Sequence, residues 1–153
     1  MKSPKETSLD RKILKNLSGK CRAAVEFMIH DPEIHYLQDY ANTVSIKRLK
    51  YNDHGPVHMR KVALNAIALT NLLIEAGIEF SLEKEGTGSR EDSLVAILIA
   101  SFLHDIGMSV GRQDHEKNSA VLAVSIIDRI MKHIYGNNIE RIVIGRSLAM
   151  ECI

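Results

Sequence analysis

Cysteine is scarce in this chain. It has only Cys21 and Cys152, far apart and with no CxxC spacing. That excludes a disulfide framework and a zinc knuckle, and it fits a reducing cytoplasm, which is the expected location. A surplus of either charge is also missing: 20 Lys and Arg face 19 Asp and Glu, for a net +1. The balance argues against nucleic acid or an acidic membrane as the main partner. No long hydrophobic run occurs. The longest, Leu94 to Leu103, is interrupted by Ser101 and falls well short of the roughly 20 residues a bilayer span needs. Met1 to Asp10 is polar and lacks the apolar centre of a signal peptide, so residues 1–10 are expected to fray. No internal repeat, low-complexity tract or convincing strand stands out.

What is present is helical periodicity. The 153 residues are 45% apolar and 25% charged, ordinary values for one globular domain with a real core. Ile13, Leu14, Leu17, Cys21, Ala24, Val25, Met28 and Ile29 space out a helix from about Ile13 to His30. Asp31-Pro32 breaks it, with Asp31 as N-cap and Pro32 opening a second helix that runs toward Leu49. A third helix is predicted from Pro56 to Ala76, with Gly77 ending it. Glu83 to Asp92 reads as a mobile charged loop, with Ser89 or Asp92 capping the next helix. That helix contains Leu94 to Leu103 and is apolar nearly all round, which marks it as the central one. Further helices are expected from His115 to Tyr135 and from Ile139 onward. The last pattern is still apolar at Met150, Cys152 and Ile153 with no cap, as if cut short. The expected class is all-α, a compact bundle of about six helices forming a single domain over 1–153.

Two places carry chemistry: Asp53-His54-Gly55-Pro56-Val57-His58, and the pair His104-Asp105. An Asp beside a His at the end of an apolar helix is costly to bury unpaired, and metal ligation removes that cost. The competing reading is a capping His and a surface Asp where the helix leaves the core. Gly55-Pro56 places a helix start between His54 and His58. His58 can then ligate while His54 stands nearby, free to carry a proton. His115 is either a further ligand, a phosphate contact or a solvated helix start. Arg60, Lys61 and Arg112 are within sequence reach and could balance phosphate charge, although a solvated role is the commoner one for each. His30, His35 and His133 have no partner pattern and read as structural or surface residues. Imidazole with carboxylate suits Mn, Fe, Ni, Co or Zn, with Mg as a harder alternative.

Together these residues resemble the HD-domain superfamily of metal-dependent phosphohydrolases. His58, in His58-Met59-Arg60-Lys61-Val62, looks like the family's first His. Leu103-His104-Asp105-Ile106-Gly107 looks like its His-Asp motif. The likeness covers roughly Tyr51 to the C-terminus. It implies a helical bundle that cleaves phosphomonoesters or phosphodiesters, often of nucleotides, with one or two divalent metals held by His58, His104 and Asp105. Asp53-His54-Gly55-Pro56-Val57-His58 is also similar to the His-Asn-x-x-His stretch of cyclic-nucleotide phosphodiesterases. That second likeness implies that His54 protonates the leaving group, although Gly55 stands where that motif has Asn. Asp114-His115-x-x-x-Ser119 resembles an additional His of some two-metal or nucleotide-binding members.

One departure matters. The family's distal Asp has no counterpart in the expected context, since only Asp114 and Asp128 follow Asp105. The alternative to a hydrolase is therefore a non-catalytic module with an incomplete metal site that binds a nucleotide or a protein. A weaker one is a metal-dependent oxygenase. The expected partner is a small phosphorylated substrate, and a homo-oligomer is compatible with the sequence.

Overall fold

The computed structural model describes residues 2–153. Eight α-helices follow one another: α1 (Pro4–Lys15), α2 (Gly19–His30), α3 (Pro32–Thr43), α4 (Pro56–Glu75), α5 (Ser81–Lys84), α6 (Arg90–Leu103), α7 (His115–Tyr135) and α8 (Ile139–Glu151). A π-helical turn, Val44–Arg48, extends α3, and a 3₁₀ turn, Ile106–Ser109, follows α6. No strand occurs among the described residues, so the class is all-α.

The expected count of about six is corrected to eight. Met1 lies outside the described residues; residues 2–10 do not fray, because α1 is capped and docked. Ser3 and Glu6 form a reciprocal capping box, with Glu6 N–H donating to Ser3 Oγ at 3.2 Å and Ser3 N–H to Glu6 Oε1 at 2.9 Å. Pro4 sits at the first helical position, where its missing N–H costs nothing. Ile13 is wholly buried, and Asp10 accepts from the Arg60 Nε at 2.7 Å. The helix expected from Ile13 to His30 is broken at Asn16–Ser18, and Gly19 restarts it at φ +53°. A Cβ there would fall 2.2 Å from the Glu91 carboxylate, which accepts the Lys20 N–H and so caps α2 from another helix. Helix α5 is not among the expected helices; it overlaps the start of the stretch read as loop, at Glu83 and Lys84. Its Leu82 is buried, and Thr87 C=O accepts from Arg141 at 2.6 Å, which ties the charged segment down.

Other boundaries follow the sequence. Asp31 Oδ1 accepts from Glu33 N–H at 2.9 Å and Ile34 N–H at 3.1 Å, as an N-cap should. Ser89 and Asp92 together form the box that opens α6. Helix α6 is the centre, packed against α2, α4 and α8. Leu98, Ile99, Phe102 and Leu103 are wholly buried, and each contributes about 1.5–3 kcal/mol by leaving water.

With its following turn, α6 gives a 20-residue helical stretch, Arg90–Ser109, which meets the length and composition of a bilayer span. That corrects the expectation from the shorter run. Its most apolar window is 78% buried inside the fold, the property of a core helix.

Candidate metal centre

Three devices aim the candidate residues at one point. The π-helical turn after α3 bends the chain back on itself: Tyr51 N–H donates to Ser45 C=O at 2.9 Å, and Ser45 Oγ donates to Asn52 C=O at 2.7 Å. The chain then reaches His54, whose N–H donates to Asn42 Oδ1 at 3.3 Å. Asn42 also packs on Gly55, where an added Cβ would meet it at 2.6 Å. Pro56 opens α4, and His58 lies in its first turn.

The second device is a buried polar chain. Arg60 is 2% exposed; its Nη1 donates to Pro56 C=O at 3.0 Å and to Gln38 Oε1 at 3.2 Å. Gln38 Nε2 donates in turn to Phe102 C=O at 2.8 Å. This chain locks the start of α4, and with it His58, to the end of α6, where His104 follows. It also corrects the reading of Arg60 as a phosphate group: Asp10, Gln38 and Pro56 occupy its donors.

The third device is Ser119 on α7. Its hydroxyl donates to His104 C=O at 2.5 Å and accepts from Gly107 N–H at 2.8 Å, spanning Asp105 from both sides. Gly107 permits the close approach, since a Cβ there would fall 2.1 Å from His115 C=O.

The result is a carboxylate ringed by imidazoles. Asp105, 3% exposed, has His54 Nδ1 at 2.9 Å, His104 Nε2 at 3.2 Å and His58 Nε2 at 3.4 Å from its Oδ2. His115 Nε2 lies 3.5 Å from Oδ1. The rings of His54 and His58, and of His58 and His104, have centroids 5.6 Å apart. Donor atoms of His54, His58 and Asp105 all lie within 4.8 Å of one another.

His54, His58 and Asp105 are the residues whose donor atoms stand close enough together that they could hold a cation. Ligand bonds of about 2.1 Å place neighbouring donor atoms about 3.0 Å apart in an octahedron and about 3.4 Å apart in a tetrahedron. Two imidazoles are also oriented from behind: His104 Nδ1 lies 3.2 Å from Ser101 C=O, and His115 Nδ1 lies 2.9 Å from Arg112 C=O. Donation from each Nδ1–H orients the ring so that Nε2 faces Asp105 and is the atom that would meet a metal.

The electrostatics divide the rings. Burial lowers the His58 pKa, and neighbouring His104 and His54 add to the fall against the pull of Asp105, which favours neutral imidazole. Burial also pushes His104 down, but the hydrogen bond and charge of Asp105 outweigh it, so the net shift is upward. Burial alone would raise Asp105. Hydrogen bonds and charge from His104 and His54 hold it well below the usual carboxylate range.

The remaining candidates divide. His115 joins the cluster. Lys61 is exposed on α4, three residues after His58 and therefore on a neighbouring face. Arg112 is exposed, with its guanidinium 4.7 Å from the Tyr51 ring centroid; it bridges the segments that lead to His54 and His115. Asp114 pairs with Lys117 at 2.8 Å and Asp128 with Arg146 at 2.8 Å, so both later aspartates are engaged elsewhere. His30, His35 and His133 make local contacts with Glu26, Asp39 and Phe27. Sequence reasoning missed Asn42 and Gln38, whose roles rest on contacts distant in the chain. It placed Ser119 in a motif without giving it a role.

Fold and site thus define an all-α protein with an imidazole–carboxylate cluster at one end of its central helix. No family model matches the chain, and no solved structure matches it. An uncharacterised protein of Methanocaldococcus jannaschii is 39% identical over 127 residues, which are 83% of this chain and 49% of that relative. The chain spans about half the length of this curated relative.

Proposed function

We propose that the protein is a metal-dependent phosphohydrolase acting on a phosphomonoester or phosphodiester, a nucleotide or related small phosphate, as its likeness to HD-domain enzymes implies. The observation that carries this reading is Asp105 with four imidazole nitrogens at 2.9–3.5 Å, two of them on rings oriented by backbone carbonyls. His58, His104 and Asp105 would hold a divalent ion, with His115 as a further ligand. Such an ion supplies Lewis-acid polarisation of a phosphoryl oxygen and a bound water acidified toward neutral pH. His54 differs from the other rings in meeting Asp105 through Nδ1. Asp105 thereby holds the His54 Nδ1–H and leaves Nε2 to carry a proton to the leaving oxygen. Lys61 balances phosphate charge from the next turn of α4, and Arg112 does so from the rim beside Tyr51.

A second reading, His54 as a ligand through Nδ1, is favoured by its mutual closeness to His58 and Asp105. A matched pair of variants decides between them. His54→Ala should keep its metal and lose turnover by roughly 100- to 10,000-fold, while His58→Ala should lose the metal. Equal metal loss in both would make His54 a ligand. The broader test is metal analysis of protein purified without chelator, followed by phosphatase assays with Mn, Fe, Co, Ni, Zn and Mg. Failure of every metal to support turnover would favour a non-catalytic module, for which the engagement of Asp114 and Asp128 elsewhere already speaks.

A further inference from the structure

The tyrosines of this chain are unevenly placed. There are four. Tyr135 is partly buried and donates to Asp92 at 2.7 Å. The other three, Tyr36, Tyr40 and Tyr51, are 70, 49 and 50% exposed, and all fall within one 16-residue stretch. A single exposed ring is ordinary, but three gathered on one stretch form an aromatic surface that the fold itself does not use.

Cations are interleaved with the rings. Lys47, Arg48 and Lys50 are exposed, and no Asp or Glu occurs between Val44 and Asn52. Arg48 Nη2 donates to the Tyr40 hydroxyl at 3.3 Å, and the Arg112 guanidinium lies 4.7 Å from the Tyr51 ring centroid. The flanking acids are engaged: Asp39 faces His35 at 3.3 Å, and Asp53 accepts from Gly55 N–H at 3.0 Å. These four cations exceed the net charge of the whole chain, +1, so the overall balance conceals a local surplus.

The surface leads to the cluster. The π-helical turn that carries Lys47 and Arg48 packs against the 3₁₀ turn that follows Asp105. Tyr51 stands three residues before His54, and Arg112 three before His115, whose ring its carbonyl orients. Tyr36 and Tyr40 share a face of α3, one above the other by about 6 Å.

The alternation selects the occupant. Cations alone would suit an acidic peptide, and rings alone an apolar surface. Rings set among cations match a polymer that offers flat bases with phosphates between them. A duplex hides its base faces in the stack, so the match is to a single strand.

We infer that this surface is a platform for the end of a single-stranded nucleic acid. Bases stack on Tyr51 and Tyr40, phosphates lie against Lys47, Arg48, Lys50 and Arg112, and the terminal phosphoester is directed to the Asp105 cluster. The fate of that phosphoester rests on the phosphohydrolase reading, but the platform can be tested without turnover.

Fluorescence anisotropy on the full chain, in chelator, would compare a labelled single-stranded DNA dodecamer with its duplex and with an abasic strand of the same length. The single strand should bind at least about tenfold more tightly than either, since stacking is the larger part of such binding. Its affinity should fall with salt at a log–log slope of about −2 to −3, the value for three to four phosphate contacts. Tyr51→Ala should weaken binding roughly 5- to 150-fold and Tyr51→Phe should restore it. Lys47→Gln and Lys50→Gln should each make the slope shallower by about 0.7. All these positions are exposed, so melting temperature and metal content should not change.

Equal binding of the abasic strand or the duplex would reduce the surface to charge alone and overturn the proposal. So would no binding of the single strand, an affinity unmoved by Tyr51→Ala, or polyglutamate binding as tightly, which would point to a protein partner. Metal-supported cleavage of a mononucleotide without strand binding would sink the platform and leave the phosphohydrolase reading standing. Strand binding that depends on Tyr51, with no cleavage under any metal, would do the reverse.

Discussion

The central helix carries a buried carboxylate at each end, and the two are satisfied in opposite ways. At the N-terminal end Asp92, 6% exposed, accepts from Lys20 Nζ at 2.5 Å, Tyr135 OH at 2.7 Å, and Ser89 N–H and Oγ at 2.8 Å. Its partners are a permanent cation, a phenol and a capping serine, and the helix dipole adds to them. Burial would raise its pKa, but these hydrogen bonds together hold it well below the usual range. At the C-terminal end Asp105 is as deeply buried, yet it faces the unfavourable end of the dipole and has only imidazoles for company. Those rings have nitrogen lone pairs to offer a cation. A carboxylate whose partners are fixed donors is a structural joint. One whose partners are all potential ligands could hold a cation.

The largest effect that would sharpen this contrast is on metal. Asp105→Asn should leave the purified protein essentially metal-free and should lower its melting temperature in chelator, because hydrogen bonds and charge from His104 and His54 hold the buried carboxylate ionised in the fold. Elemental analysis alongside thermal melts checks both halves. A normal metal content would end the comparison.

Asp92→Asn should differ on metal. It breaks a mostly buried ion pair and should cost about 2–4 kcal/mol, discounted because Lys20 is a third exposed, with metal content kept. Urea unfolding would read the loss. The same residue makes a pH prediction. Because the folded pKa of Asp92 lies below its unfolded value of about 3.9, its contribution is complete above roughly pH 5 and fades as pH falls through and below 4. Asp92→Asn should therefore flatten the acid limb of the stability profile. An unchanged acid limb would show that other carboxylates dominate it.

A smaller effect is expected from Ser119→Ala, which removes the hydroxyl spanning Asp105. Metal affinity should fall about 10- to 100-fold, as for other groups that orient ligands, and Ser119→Thr should restore part of it. A lower melting temperature with unchanged affinity would make Ser119 part of the packing alone. The smallest effect is the loop. Deleting Glu85–Gly86 at its tip should leave metal content unchanged, since the segment is tied through Arg141 to the Asp92 end of α6. Loss of metal on deletion would show that the two ends are coupled.

Much of the scaffold was legible in the chain. Periodicity located α2, α3, α4, α6, α7 and α8 but not the short α5, and Asp31 and Ser89 marked boundaries where the structure has them. The capping signature of α1, Ser3-Pro4-Lys5-Glu6, was equally present in the sequence. It was outweighed by the polar composition of the first ten residues, which says nothing of Asp10 meeting Arg60. At the cluster, adjacency drew attention to His104-Asp105 and spacing to His54 and His58. Arg60 was misread because a charged side chain near a candidate site looks solvated until its three acceptors are found on other elements.

What the sequence by itself determined here is local: helical spans, caps, turns and the apolar identity of α6, all set by interactions within about four residues. Only tertiary structure could gather His54, His58, His104 and His115 from a loop, a helix start, a helix end and a second helix start around one carboxylate. That required α3 to lock α4 to α6 through Gln38, and α7 to close on Gly107. Such contacts join residues tens of positions apart, and their strength depends on removing water from the space between them.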